Sequence, residues 1–122
     1  MRQRDFERII LQALEQMPLH FREALDNIDI QVQWRPSPGE LRRVGLRRGQ
    51  SLLGLYVGVP LPSRSHYNSL TLPDTIIIYQ GTHERVCRDE AEMVEQVQKT
   101  LLHEIGHYMG IDEDRLRELG AG

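Results

Sequence analysis

His103 and His107 stand four residues apart, with Glu104 directly after the first. On a helix, residues at this spacing lie one turn above each other on the same face. Two imidazoles so placed can each direct a ring nitrogen at one ion, at the zinc–nitrogen distance of about 2.0–2.1 Å. Glu104 then projects beside the ion and can take a proton from a metal-activated water without ligating the metal itself. The order His-Glu-x-x-His therefore fits metal-assisted hydrolysis. A zinc site of this kind takes a third protein ligand. In the extended pattern a glycine three residues after the second histidine turns the chain, and the third ligand follows three residues later. Gly110 and Glu113 occupy those places, with Asp112 and Asp114 flanking Glu113 as alternatives. Acids at this position also suit a helix N-terminus, because they complement its dipole.

These side chains need a helix to carry them. Val94, Val97, Leu101, Ile105 and Tyr108 fall within about 80° of arc at 100° per residue, which predicts one buried helix face. His103 and His107 lie away from that stripe. Asp89 and Glu92 supply an N-cap and a first-turn acid, and Gly110 suits a left-handed stop, so the helix is expected to run to about Met109. Asp112 can cap a last short helix holding Leu116 and Leu119.

The rest of the chain must build a sheet for this helix to lie on. Phe6, Ile9, Ile10, Ala13, Leu14 and Met17 step by three and four, as in an amphipathic helix. Pro18 ends that helix and opens a shorter one through Leu25. Ile28, Ile30, Val32 and Trp34 alternate with polar residues, as in a strand with one buried face. Ser37 and Glu40, with Pro38 between them, read as a capping box for a short helix. Leu52 to Val59 reads as a second strand, with Leu53, Leu55, Val57 and Val59 on one face and Gly54, Tyr56 and Gly58 on the other. Glycines on one face suit a sheet edge or the close approach of another backbone. Residues 61–74 read as a loop. Ile76, Ile77 and Ile78 in succession suit a central strand covered on both sides. The expected fold class is α+β: one domain, residues 1–122, with a small mixed sheet packed with helices and the long site-bearing helix near the C-terminus.

From the motif outward, the chain resembles the small bacterial zincin-like metallopeptidases, also described as minimal metalloproteases. The resemblance rests on Gly54-Leu55-Tyr56-Val57-Gly58-Val59-Pro60-Leu61, Arg64-Ser65, Leu72-Pro73-Asp74 and the run from His103 to Asp114. It implies a zincin-like fold and a zinc-dependent peptidase. His103, His107 and a third ligand would hold Zn²⁺, Glu104 would be the general base, and a peptide or protein would be the substrate. The family often has Asp at the third-ligand position, where this chain has Glu113. Only residues 108–122 follow His107, and Met109 belongs to the helix, so the Met-turn of larger zincins is not expected and the cleft should be shallow and open. A peptide could pair with the edge of the Leu52–Val59 strand, and His66 and Tyr67 are candidates for oxyanion stabilisation. The alternative is a metal-binding module that recognises a peptide or partner with little or no turnover.

Bulk properties agree with a soluble domain. The chain has 122 residues, 39% hydrophobic and 27% charged, with a formal net charge of −3. That balance does not point to nucleic acid or an acidic membrane surface. Arg42, Arg43, Arg47 and Arg48 read as a solvated face. The single cysteine, Cys87, rules out an intramolecular disulfide and reads as a small packed residue. No apolar run approaches the roughly 20 residues of a membrane span. The N-terminal segment lacks the uninterrupted apolar stretch of a signal peptide, so the expected location is cytoplasmic.

Overall fold

The computed structural model describes residues 1–45, 52–58, 74–111 and 113–118, apart from the side chains of Glu113, Leu116 and Arg117. Two helices come first, α1 (Gln3–Glu15) and α2 (Leu19–Leu25), followed by strand β1 (Ile28–Gln33) and helix α3 (Pro38–Arg43). Strands β2 (Gly54–Val57) and β3 (Asp74–Tyr79) complete the sheet. Helices α4 (Gln80–Val86), α5 (Glu90–Tyr108) and α6 (Glu113–Glu118) end the described chain. Among the described residues, no helix is long and apolar enough to cross a membrane.

The sheet runs β1-β3-β2. β1 lies parallel to β3, with Ile30 beside Ile76 and Val32 beside Ile78. β2 lies antiparallel to β3, with Gly54 opposite Ile78 and Tyr56 opposite Ile76. The three isoleucines of β3 are buried, as a central strand requires. Ile76 and Ile78 face the main core with Phe6, Ile9, Ile10, Ala13 and Met17 from the α1 segment and Val94, Val97, Leu101 and Ile105 from α5. Ile77 and Tyr79 join Leu55 on the opposite face. Burial first, and then nearby Glu40 of α3, pushes the Tyr79 hydroxyl pKa well above its ordinary value.

Most element ends follow the sequence signals. Ser37 and Glu40 close a capping box at α3. The Asp89 side chain accepts from the Glu92 amide at the start of α5. At its other end Gly110 has φ 81°. The Ile111 amide reaches the Gly106 carbonyl, and the Gly110 amide that of His107. This is a Schellman stop, which a glycine accommodates without steric cost.

β2 is shorter than the sequence implies, since Leu52 and Leu53 precede it, and two further features differ from the sequence expectation. α4 is an additional helix, and Trp34 lies beyond β1 with 55% of its surface exposed. One contact explains both. The Gly81 amide donates to the Trp34 carbonyl at 2.9 Å. A Cβ at Gly81 would meet that carbonyl oxygen at 2.6 Å and the indole at 3.1 Å. Gly81 is a poor helix former, yet its bare backbone lets α4 start against Trp34.

α4 carries His83, which is fully buried. Its Nδ1 lies 2.8 Å from the Tyr79 carbonyl and its Nε2 lies 3.0 Å from Thr100 Oγ1 on α5. A carbonyl only accepts, so Nδ1 carries the proton; Thr100 Oγ1 also lies 2.9 Å from the Gln96 carbonyl, so its one hydroxyl proton is shared between that carbonyl and Nε2. Burial lowers the His83 pKa below its ordinary 6.5, outweighing the opposite effect of the bond to Tyr79. The neutral ring therefore ties α4 to α5.

A pH dependence of stability follows. Between the depressed folded pKa and the unfolded value near 6.5, the unfolded chain binds a proton that the folded chain refuses. Stability must then fall as pH drops through that window, by at most about 1.4 kcal/mol per pH unit for one site. Urea titrations at about pH 8 and about pH 5.5 should show this loss in the parent protein and a smaller one in His83→Gln. Equal losses in the two proteins would contradict the role given to His83.

Candidate metal centre

α5 lies on the main core through the stripe expected from its sequence, with Val94, Val97, Leu101, Ile105 and Tyr108 all buried. Its buried surface is wider than that stripe and includes Thr100, Glu104 and Gly106. The reason is angular. At 100° per residue Glu104 falls about 20° from the edge of the apolar arc, and Thr100 lies one turn before it on the same side. Both side chains turn toward β2.

The approach of helix and strand is close. A Cβ at Gly54 would lie 2.6 Å from Thr100 Cγ2, 3.2 Å from the Ile77 carbonyl oxygen and 3.4 Å from Glu104 Cγ. The glycine-bearing face of β2 is thus where α5 comes nearest, as the sequence pattern implied. The Tyr79 amide donates to the Leu53 carbonyl. Antiparallel alternation then aims the amide and carbonyl of Tyr56 away from β3. The Tyr56 amide donates instead to Glu104 Oε1, at 2.8 Å.

The structure brings His103, Glu104 and His107 together, with one possible donor atom from each lying within 4.8 Å of the others. The two imidazole centroids are 4.7 Å apart, with ring planes at 70°. Their side chains are 23% and 33% exposed, against 4% for Glu104. His107 Nδ1 lies 3.2 Å from Glu104 Oε1. Donation from Nδ1–H makes Nε2 the lone-pair nitrogen of His107, a state in which imidazole binds metals. Glu104 Oε2 makes no hydrogen bond to a described residue and lies 3.9 Å from His103 Nε2.

These residues fit a divalent transition metal. Two ligands at about 2.0–2.1 Å from one tetrahedral ion are about 3.3 Å apart, a spacing small rotations of two partly exposed rings can reach. His103 and His107 are the ligands this arrangement offers. Glu104 could offer a third ligand atom, but its Oε1 is tied to the sheet by the Tyr56 amide.

The remaining sequence candidates divide in two. Asp112, His66, Tyr67, Arg47, Arg48 and the side chain of Glu113 lie outside the described residues. Of the others, Asp114 is exposed on α6, and Arg42 and Arg43 are exposed on α3. Cys87 packs partly against the core. Burial there, aided by Glu92 and Asp89, raises its thiol pKa, which is the opposite of a reactive thiolate.

Sequence reasoning missed three supports of the site. The Tyr56 hydroxyl donates to the buried Asp74 carboxylate at 2.7 Å, and the Tyr56 ring packs edge-on against Tyr108 at 5.8 Å. The third is the Thr100–His83 bond. Asp74 and His83 carry no local signal. Thr100 does, since it is four residues before Glu104 and so on the same side of the helix.

Residues 25–122 match the zincin-like metallopeptidase family. Among solved structures, a conserved hypothetical protein from Thermo thermophilus has a similar fold, with a TM-score of 0.56. It is 23% identical to this chain, covering 98% of this chain and 97% of that one. No curated protein shows significant similarity to the chain.

The geometry alone sets an expectation for metal uptake. Equilibration with Zn²⁺ or Co²⁺ should load about one ion per chain, and His103→Ala or His107→Ala should abolish this. Elemental analysis showing no uptake by the unaltered protein at micromolar metal would exclude the centre.

Proposed function

The chain belongs to the zincin-like metallopeptidase family, and we propose that it is a zinc-dependent peptidase with Glu104 as general base. The observation that carries this reading is the divided carboxylate of Glu104. Oε1 is engaged by the Tyr56 amide at 2.8 Å, while Oε2 lies on the side of His103 with no described hydrogen-bond partner. A base needs one oxygen held still and the other available.

In this reading His103, His107 and Glu113 hold zinc. When bound, zinc brings the pKa of a water toward neutrality and polarises a carbonyl. Glu104 Oε2 takes the proton of the attacking water and later delivers it to the leaving amine nitrogen. The bond from the Tyr56 amide to Oε1 keeps the carboxylate oriented through both transfers. The substrate is an extended peptide laid along the outer edge of β2. Glu104 already occupies the Tyr56 amide, so the peptide's backbone pairs first with the Tyr56 carbonyl.

Glu104→Gln tests the assignment, because the amide oxygen can still accept from Tyr56 while the base is lost. The variant should keep its fold and its metal but lose on the order of 10²–10⁴-fold of the hydrolysis of an unstructured peptide library. Equal cleavage by the two proteins would end the proposal. Peptide binding with no cleavage by the metal-loaded parent would favour a recognition module instead. For the third ligand, Glu113→Gln should weaken zinc affinity well beyond Asp112→Asn or Asp114→Asn. Equal small effects would reduce the three acids to a helix cap.

A further inference from the structure

We propose that Gly54 is a positioning residue for Glu104: its missing side chain sets the helix–strand spacing that lets the Tyr56 amide hold the carboxylate. The inference rests on the reading of Glu104 as the base, but the contact it concerns exists in the protein without metal.

The argument is one of space. Gly54 does not sit in the left-handed region, so its backbone conformation alone would accept alanine. A Cβ there would stand 2.6 Å from Thr100 Cγ2, whereas carbon atoms in contact prefer about 3.5–4.0 Å. Thr100 cannot readily turn its methyl aside. It is β-branched and stiff at χ1, and its hydroxyl is bonded to the buried His83 at 3.0 Å. The carbonyl oxygen of Ile77, 3.2 Å from the added atom, belongs to the central strand. Relief must come from α5 and β2 moving apart by about 1 Å. The Glu104–Tyr56 bond is 2.8 Å, and such a movement would stretch it past the roughly 3.5 Å limit of a hydrogen bond. The carboxylate would lose its hold on the sheet while the histidines, on the same helix, kept their mutual spacing.

Thr100→Ser provides the rescue. It removes the methyl that meets Gly54 and keeps the hydroxyl that meets His83. The first readout is hydrogen exchange of the Tyr56 amide, followed by NMR in the metal-free protein. This amide points away from β3 and owes its protection to Glu104, so Glu104→Ala calibrates the unprotected rate. Gly54→Ala should exchange at least about tenfold faster at Tyr56, with Ile76 and Ile78 still protected. Gly54→Ala/Thr100→Ser should restore slow exchange. The second readout is peptide hydrolysis by the zinc-loaded protein. Here kcat should fall about tenfold to a hundredfold in Gly54→Ala with KM little changed, and recover in the double variant.

Unchanged Tyr56 exchange in Gly54→Ala would overturn the proposal, as would a loss that Thr100→Ser does not repair. If Gly54→Ala does not fold, a folded double variant with a slow Tyr56 amide supports the proposal, and a folded double variant with a fast one overturns it. A parent protein that cleaves no peptide would refute the proposed function, yet the exchange experiment would still decide the role of Gly54.

Discussion

A carboxylate lies where the long helix crosses the edge of the sheet, and it is nearly closed off from solvent. Glu104 is 3% exposed. Burying such a group without partners costs several kcal/mol, so the fold must bring donors to it. The Tyr56 amide does so from β2 and the His107 ring from α5 itself. A hydrogen bond to a charged group contributes about 1.5–3 kcal/mol, enough to offset much of the burial but only at short range. The crossing of α5 over β2 therefore has little freedom, and the placement of both histidines follows from it.

Other contacts converge on the same crossing. Trp34 rests on Gly81 at the start of α4. α4 carries His83, and His83 holds Thr100 one turn before Glu104. On the far side of the motif Tyr108 meets the Tyr56 ring, and Asp74 holds the Tyr56 hydroxyl. The site helix is thus held before the histidines by a hydrogen bond to α4 and after them by a ring contact with β2, while the apolar stripe supplies the bulk of the attraction. Apolar burial is roughly proportional to area and has no direction. It would allow α5 to slide or roll, which the directional bonds at Thr100, Glu104 and Tyr56 oppose.

The division between directionless and directional contacts explains what the sequence made legible. Periodicity revealed α1, the central isoleucine strand and the buried stripe of α5, because each depends only on which residues are apolar. Caps and stops at Ser37, Asp89 and Gly110 were equally plain, since they are set by neighbours three or four residues away. His103, Glu104 and His107 were visible as a motif for the same reason. What stayed hidden spans long stretches of chain. Trp34 meets Gly81, His83 meets Thr100, and Tyr56 meets Glu104, each through a pairing that no local pattern encodes. α4 was missed because its glycine weakens the helix signal while serving a contact 47 residues upstream. The glycines of β2 signal close approach by another element, but that this element is α5, through Thr100 and Glu104, is set by the fold.

The division of Glu104's two oxygens supports the proposed role of the residue as a base over that of a ligand. For the carboxylate to swing onto an ion through Oε1, the Tyr56 amide would have to surrender its acceptor at the crowded crossing of helix and strand. The loss of a hydrogen bond to a charged group opposes that movement by about 1.5–3 kcal/mol. Ligation through Oε2 would pull against the same amide, because both oxygens turn about one carbon. In the proposed site the bond to the sheet edge would thus hold the carboxylate within reach of a water while restraining it from the ion. In the proposed reaction the same bond would also constrain the substrate, since a peptide adding to β2 would meet a Tyr56 amide already engaged by Glu104. In the proposed reaction, the position of the base and the register of the peptide are consequences of a single hydrogen bond.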